Sequence, residues 1–132
     1  MEIFEQYTLV TLAARTADLD TNDQRALGAT GVMITVHVGT AGTSTLTLRI
    51  FGKEPFESTY YQINVDIALV AGRNVIVVSP GVSMQPPGEA ADTVSTNVKQ
   101  VVGVAVPDVW RASFIKGDAS AWTYGAIAQR IP

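Results

Sequence analysis

Strict alternation of apolar and polar side chains is the feature that most constrains this chain. In Val32-Met33-Ile34-Thr35-Val36-His37-Val38, four aliphatic residues fall on one face while Thr35 and His37 fall on the other. Successive side chains point to opposite faces only in an extended strand, so this period of two predicts a half-buried β-strand. Leu46, Leu48 and Ile50 resume the alternation after Gly39-Thr40-Ala41-Gly42-Thr43-Ser44, and the two runs together read as a β-hairpin. Tyr61, Ile63, Val65, Ile67 and Leu69 give a third run, and Val75-Ile76-Val77-Val78 a short, continuously apolar buried strand. Near the end of the chain, Trp110, Ala112 and Phe114 alternate, then Trp122, Tyr124, Ala126 and Ala128, with Gly117-Asp118-Ala119-Ser120 between them.

With a further strand near residues 7–14, these runs predict about seven or eight short strands. The fold class expected is all-β: an antiparallel β-sandwich or a jelly-roll-like small barrel, in one domain spanning residues 1–132 with a short N-terminal arm. Ile34, Val36, Leu48, Ile50, Val77 and Trp110 are the expected core. Composition agrees, since Val, Thr and Ile account for 40 of the 132 residues, and β-branched side chains lose less rotamer freedom on a sheet than in a helix.

Two segments depart from the strand pattern. Thr21-Asn22-Asp23-Gln24 has the form of a capping box, with Gly28 where a short helix would stop. Residues 80–107 form a long excursion; Pro86-Pro87-Gly88 cannot sit inside a sheet, because proline offers no N–H. Beyond it, Ala91, Val94, Val98 and Val101 have near-helical spacing, whereas Thr93, Val94, Thr96 and Val98 are β-branched and oppose a helix.

Composition also narrows function. There is no cysteine, hence no disulfide, thiolate metal site or cysteine nucleophile. The nine Lys and Arg residues are dispersed in a chain of net charge −3, without the basic cluster that nucleic-acid binding uses to displace counterions. The first residues lack the basic start and apolar run of a secretory signal, and no stretch approaches the roughly 20 apolar residues of a membrane helix. A soluble protein made in a cytoplasm, binding neither nucleic acid nor membrane, is the expectation.

Candidate chemistry is sparse. His37 is the single histidine, lies mid-strand on the polar face, and has no Gly-x-Ser-x-Gly elbow to serve. Asp18, Asp20 and Asn22 have the spacing that opens a calcium loop, but Asp23 and Ala29 stand where that loop needs glycine and glutamate. Glu54, Glu57 and Asp66, with Glu89, Asp92, Asp108 and Asp118, are the carboxylates from which a glycosidase pair would be drawn. No catalytic, metal or cofactor residue is therefore assigned, and the chain is expected not to be an enzyme. Phe51, Phe56, Tyr60 and Tyr61 cluster around the central turn, and alternation forces some of them outward, as befits an interface. Ile3 and Phe4 in the arm, and Pro86 and Pro87 in the excursion, complete the expected interface residues.

One stretch carries a family likeness. Val106-Pro107-Asp108-Val109-Trp110-Arg111-Ala112-Ser113-Phe114, followed by Gly117-Asp118-Ala119-Ser120-Ala121-Trp122-Thr123-Tyr124, resembles small virion proteins of tailed bacteriophages. Leu46-Thr47-Leu48-Arg49-Ile50-Phe51-Gly52 and Val77-Val78-Ser79-Pro80-Gly81 fit the same layout, so the likeness spans about 90 residues. The resemblance implies a single β-sandwich located in the virion, a capsid decoration or cement protein that binds the major capsid protein or other virion proteins. It also implies a homo-oligomer, a trimer by analogy, and no catalytic residues. Residues 84–100 depart from it by their length. A tail, baseplate or fibre module that binds carbohydrate is the second function class considered, and an unrelated binding domain or hydrolase the third.

Overall fold

The structure, a computed structural model, describes residues 6–80 and 96–132. Eleven strand segments and no helix occur among them: β1 (Gln6–Arg15), β2 (Leu19–Asp20), β3 (Gln24–Arg25), β4 (Gly31–Thr40), β5 (Leu46–Lys53), β6 (Tyr60–Gln62), β7 (Ile67–Ala68), β8 (Gly72–Val78), β9 (Thr96–Val102), β10 (Val109–Lys116) and β11 (Trp122–Ile131). They build the two sheets of a β-sandwich. The first sheet runs β1-β11-β4-β8-β9; the second runs β2-β10-β5-β6, with β3 also beside β10 and β7 also beside β5. All pairings are antiparallel except β8 with β9, which is parallel.

The alternation read from the sequence sets the core. Val32, Ile34, Val36, Val38, Ile76, Val78, Trp122, Tyr124, Ala126 and Ala128 face inward from the first sheet; Leu46, Leu48, Ile50, Trp110, Ala112 and Phe114 face them from the second. Phe114 and Tyr124 meet across the sandwich with ring centroids 5.0 Å apart, within the range of favourable aromatic pairs. Of the six expected core residues, Val77 is the exception. Register places Ile76 opposite the buried Ile34, so Asn74, Ile76 and Val78 take the inner positions and Val77 is only half-buried.

The expected hairpin between β4 and β5 is not formed. β4 belongs to the first sheet and β5 to the second, so the connection over residues 41–45 is an arch across the sandwich. β10 and β11 cross in the same way, and the two arches lie side by side through β5–β10 and β4–β11 pairing. Gly117 N donates to Thr45 O at 2.9 Å, Thr43 N to Ser120 Oγ at 3.1 Å, and Thr43 Oγ1 to Asp118 at 3.3 Å, joining one arch to the other.

The short helix expected between Thr21 and Gly28 is likewise replaced by sheet. Thr21 N donates to Ala112 O, and Thr21 Oγ1 accepts from Ala112 N at 3.0 Å, while Gln24 pairs with Trp110. Satisfying the exposed edge of β10 outweighs local capping, and the segment becomes the broken edge strand β2–β3. The third alternating run is also broken. Asn64 inserts its side chain into the ladder, accepting from Ile50 N at 2.7 Å and donating to Leu48 O at 3.3 Å, so Val65 is left 75% exposed between β6 and β7. In the excursion, β9 occupies residues 96–102, so β-branching prevails there over helical spacing.

Asn74 is fully buried where the chain passes from β7 to β8. Its Nδ2 donates to Val36 O, Val70 O and Gly72 O, and its Oδ1 accepts from Val70 N. Replacing it by alanine strands these groups away from water, and unsatisfied buried groups cost roughly 1–3 kcal/mol each. Asn74→Ala is expected to lower unfolding free energy by about 2–4 kcal/mol in urea titration, while a change below about 0.5 kcal/mol contradicts this role.

Candidate interaction surface

One end of the sandwich concentrates exposed apolar side chains. β5 leads into β6 through residues 54–59, a turn fixed largely by Glu54. The Glu54 carboxylate accepts from Phe56 N at 2.5 Å and Glu57 N at 2.8 Å, while Glu54 O accepts from Ser58 N and Glu54 N donates to Thr59 O. Ser58 has a left-handed φ of 59°. This fixed turn presents Phe56 almost wholly to solvent, 96% exposed. At the same end, residues 26–30 carry the chain from β3 in the second sheet to β4 in the first. Leu27 there is 64% exposed at φ 52°, a left-handed conformation that costs a bulky side chain roughly 1–2 kcal/mol. Val104 is exposed beside this connection, in a segment tied down by Val106 N donating to Thr30 O.

Behind Phe56 the outer surface of the second sheet carries separate ion pairs. Asp23 accepts from the Tyr60 hydroxyl at 2.5 Å and from Lys53 Nζ at 3.0 Å. These bonds hold the Asp23 carboxyl below the usual carboxylate range, and the Asp23 carboxylate raises Lys53 in turn. The Arg111 guanidinium lies 3.8 Å over the Tyr60 ring and 5.9 Å from that of Phe51. Arg49 grips Asp66 with two bonds of 3.0 Å, which lowers Asp66 and raises Arg49. Arg25 pairs with Asp108 at 3.2 Å. A polar cavity of about 380 Å³ lies between these pairs and the 54–59 turn, lined in part by Asp23, Arg25, Lys53, Glu54 and Asp108.

The outer surface of the first sheet is different. Met33, Thr35, Val75 and Val77 are half-buried in neighbouring register positions, and Ile127 beside them is 46% exposed. Over Gly125 this surface is covered by the backbone of β1. A Cβ there would stand 2.9 Å from the Leu12 backbone, so β1 crosses closer than any side chain permits. Two register shifts in β1, between Thr8 and Val10 and between Val10 and Ala13, turn Leu12 outward to 58% exposure. The result is a groove of about 290 Å³ lined by Thr8, Val10, Leu12, Thr35, His37, Gly125, Ala126 and Ile127.

The expected interface residues divide accordingly. Tyr60 points outward but is covered by Arg111, whereas Tyr61 is 48% exposed and rests over Gly52, where a Cβ would meet its ring at 2.6 Å. Ile3, Phe4, Pro86 and Pro87 lie outside the described residues. The acidic stretch is dispersed among separate partners: Asp18 accepts from Lys116 N, Asp20 from Ser113 Oγ, and Asp23 from Tyr60 and Lys53. Among the described residues no group of three or more histidines or carboxylates is placed to hold a metal ion. Leu12, Leu27, Val104 and Ile127 were missed by sequence reasoning. The signal available was Gly125, a glycine inside a strand pattern, which marks close approach of another backbone.

No protein-family model matches the chain, and no curated protein matches it.

Two outcomes are expected from this geometry. Tyr60→Phe removes the largest cause of the low Asp23 pKa, so the Asp23 midpoint rises toward its ordinary value in a carboxyl-carbon NMR titration. The sign for stability follows: a carboxyl lowered by folding contributes above its unfolded pKa of about 3.9, and that contribution is lost as pH falls through the folded value. Tyr60→Phe therefore narrows the acid-dependent loss, and an unmoved midpoint contradicts the network. Leu27→Asn, which tolerates the left-handed conformation, is expected to raise unfolding free energy by about 0.5–1 kcal/mol, as read by urea titration.

Proposed function

We propose that this chain is a structural protein of a bacteriophage particle, most consistent with a capsid decoration or cement protein that stabilises the head shell by protein–protein contact. The observation that carries the reading is Phe56, 96% exposed on a turn whose backbone is already held by Glu54. A large aromatic side chain on a fixed backbone loses little conformational freedom on docking, and aromatics of this kind serve as interface anchors. Leu27 and Val104 are also exposed at the same end of the sandwich. The phage setting rests on the sequence resemblance alone.

The second reading, a carbohydrate-binding tail, baseplate or fibre module, calls for an open aromatic face. Trp110 and Trp122 are buried, and the Tyr60 ring is occupied by Arg111. These placements favour packing against protein over stacking on sugar.

The test is co-sedimentation of the purified protein with undecorated shells of its parent phage, which the genes flanking its own identify. Wild-type protein is expected to sediment with shells, and Phe56→Asp to weaken that binding at least 10-fold. Melting temperature should change by less than about 2 °C, because surface substitutions away from packed features stay within roughly 0.5 kcal/mol. Absence of wild-type co-sedimentation at saturating concentration refutes the decoration reading.

A further inference from the structure

The turn that bears Phe56 stands on an overhang. In the second sheet β5 lies between β10 and β6, and its ladder to β10 ends where Gly52 meets Trp110. Beyond that point Lys53 is paired with Tyr60 of β6, and Glu54 N donating to Thr59 O closes the hairpin. The bonds that Glu54 makes fix the shape of the turn, but they lie within it. They do not set how the turn is aimed relative to the sandwich. A two-stranded ribbon twists more than a strand flanked on both sides, and is only marginally stable by itself.

Asp23 supplies the missing constraint. It belongs to neither strand of the hairpin: it precedes β3, which pairs with β10 on the side away from β5. Its two carboxylate oxygens take one residue each from the base of the turn. Oδ1 accepts from the Tyr60 hydroxyl at 2.5 Å, and Oδ2 from Lys53 Nζ at 3.0 Å. The Tyr60 side chain therefore reaches from β6 back over β5, where Arg111 of β10 lies 3.8 Å over its ring and Lys53 Nζ 5.6 Å from it. One tyrosine and one carboxylate thus join the hairpin to β3 and β10.

Magnitude decides what this contact can do. Ion pairs as exposed as Lys53–Asp23 add little to global stability, so the contact does not hold the fold together. Local openings of surface turns, however, involve free energies down to nearly zero. At the base of an overhang, a small energy is enough to select one orientation. We propose that Asp23 is a positioning residue for Phe56: by gripping Lys53 and Tyr60 together, it straps the overhanging hairpin to β10 and fixes the direction in which Phe56 is presented. The inference rests on reading Phe56 as a protein-interface anchor, because an anchor already oriented avoids part of the ordering cost of docking.

Amide-nitrogen NMR relaxation of the full chain tests the strap. In wild-type protein, residues 54–59 are expected to show order parameters like those of β10, about 0.85, and Asp23→Ala to lower them together toward about 0.6. Order in β10 and β11 should be unchanged, and the melting temperature should move by less than about 2 °C. Asp23→Glu, which keeps both acceptor oxygens, should retain the order of the turn. Lys53→Met combined with Tyr60→Phe removes both donors while leaving Asp23 in place, and should reproduce the Asp23→Ala result. Turn order unaffected by these variants, or a loss that spreads through β10 and β11, overturns the proposal. Shell co-sedimentation separates it from the decoration reading. Asp23→Ala, with Phe56 intact, should bind shells about 3- to 10-fold more weakly, and undiminished binding by the loosened turn also overturns the proposal. Loosening of the turn in a protein whose wild type never binds shells refutes the decoration reading and leaves the strap standing.

Discussion

The pair of stacked arches is the constraint on which the rest of this fold depends. β4–β5 and β10–β11 each carry the chain from the first sheet to the second or back, and they pair strand for strand, β4 with β11 and β5 with β10. Every member presents an unbroken apolar inner face, from Val32 to Val38, Leu46 to Ile50, Trp110 to Phe114 and Trp122 to Ala128. Neither arch buries its face by hydrogen bonding within itself, and only the two together complete both ladders and the core. Phe114 against Tyr124 lies where the arches meet. The remaining strands are additions to this unit: β1 and β8–β9 widen one sheet, and the short pieces β2, β3, β6 and β7 trim the edges of the other.

That hierarchy explains what the sequence made legible. Alternation in β4, β5, β10 and β11 is strict because those strands are flanked on both sides and have one inner face each. Strand, face and core membership were therefore readable from the spacing of Ile34, Leu48 or Trp110. Pairing was not. An arch and a hairpin impose the same period of two, and the turn residues 39–44 fit either, so only the presence of a second arch decides between them. Propensity failed where a long-range partner existed. Thr21 has the right spacing to cap a helix, yet its hydroxyl accepts from Ala112 N, 91 residues away in sequence. Val77 failed for a subtler reason: in a run of four apolar residues the parity of the core is set by the opposite strand, not by the run itself.

Exposed aromatic surface was legible in kind but not in place. The aromatics around the central turn include Phe56, the most exposed of the large hydrophobic side chains described. Tyr60 could not be discounted from sequence, because its cover, Arg111, lies 51 residues later on β10. The groove was invisible for a related reason. It exists because β1 shifts register twice, which turns Leu12 against the parity of its neighbours, and no local pattern announces a bulge of that kind.

Those same bulges shape the edges of the sandwich. An open edge strand invites pairing by backbone hydrogen bonds, and proteins blunt edges with bulges and short strands. β1 is shifted twice, β2 and β3 are two residues each, and β6 and β7 are separated by the Asn64 insertion. These three edges are poor templates for a continuous shared sheet, and the remaining edge is β9, seven residues long. Away from these edges, the described surface carries Phe56 on a turn held by Glu54 and Leu12 on the shifted strand β1, both exposed. On the second sheet's outer surface, Arg49–Asp66 and Lys53–Asp23 satisfy one another, whereas Arg111 is held over the Tyr60 ring with its buried Nε unpartnered among the described residues, so this face mixes paired charge with a cation stabilised by an aromatic ring.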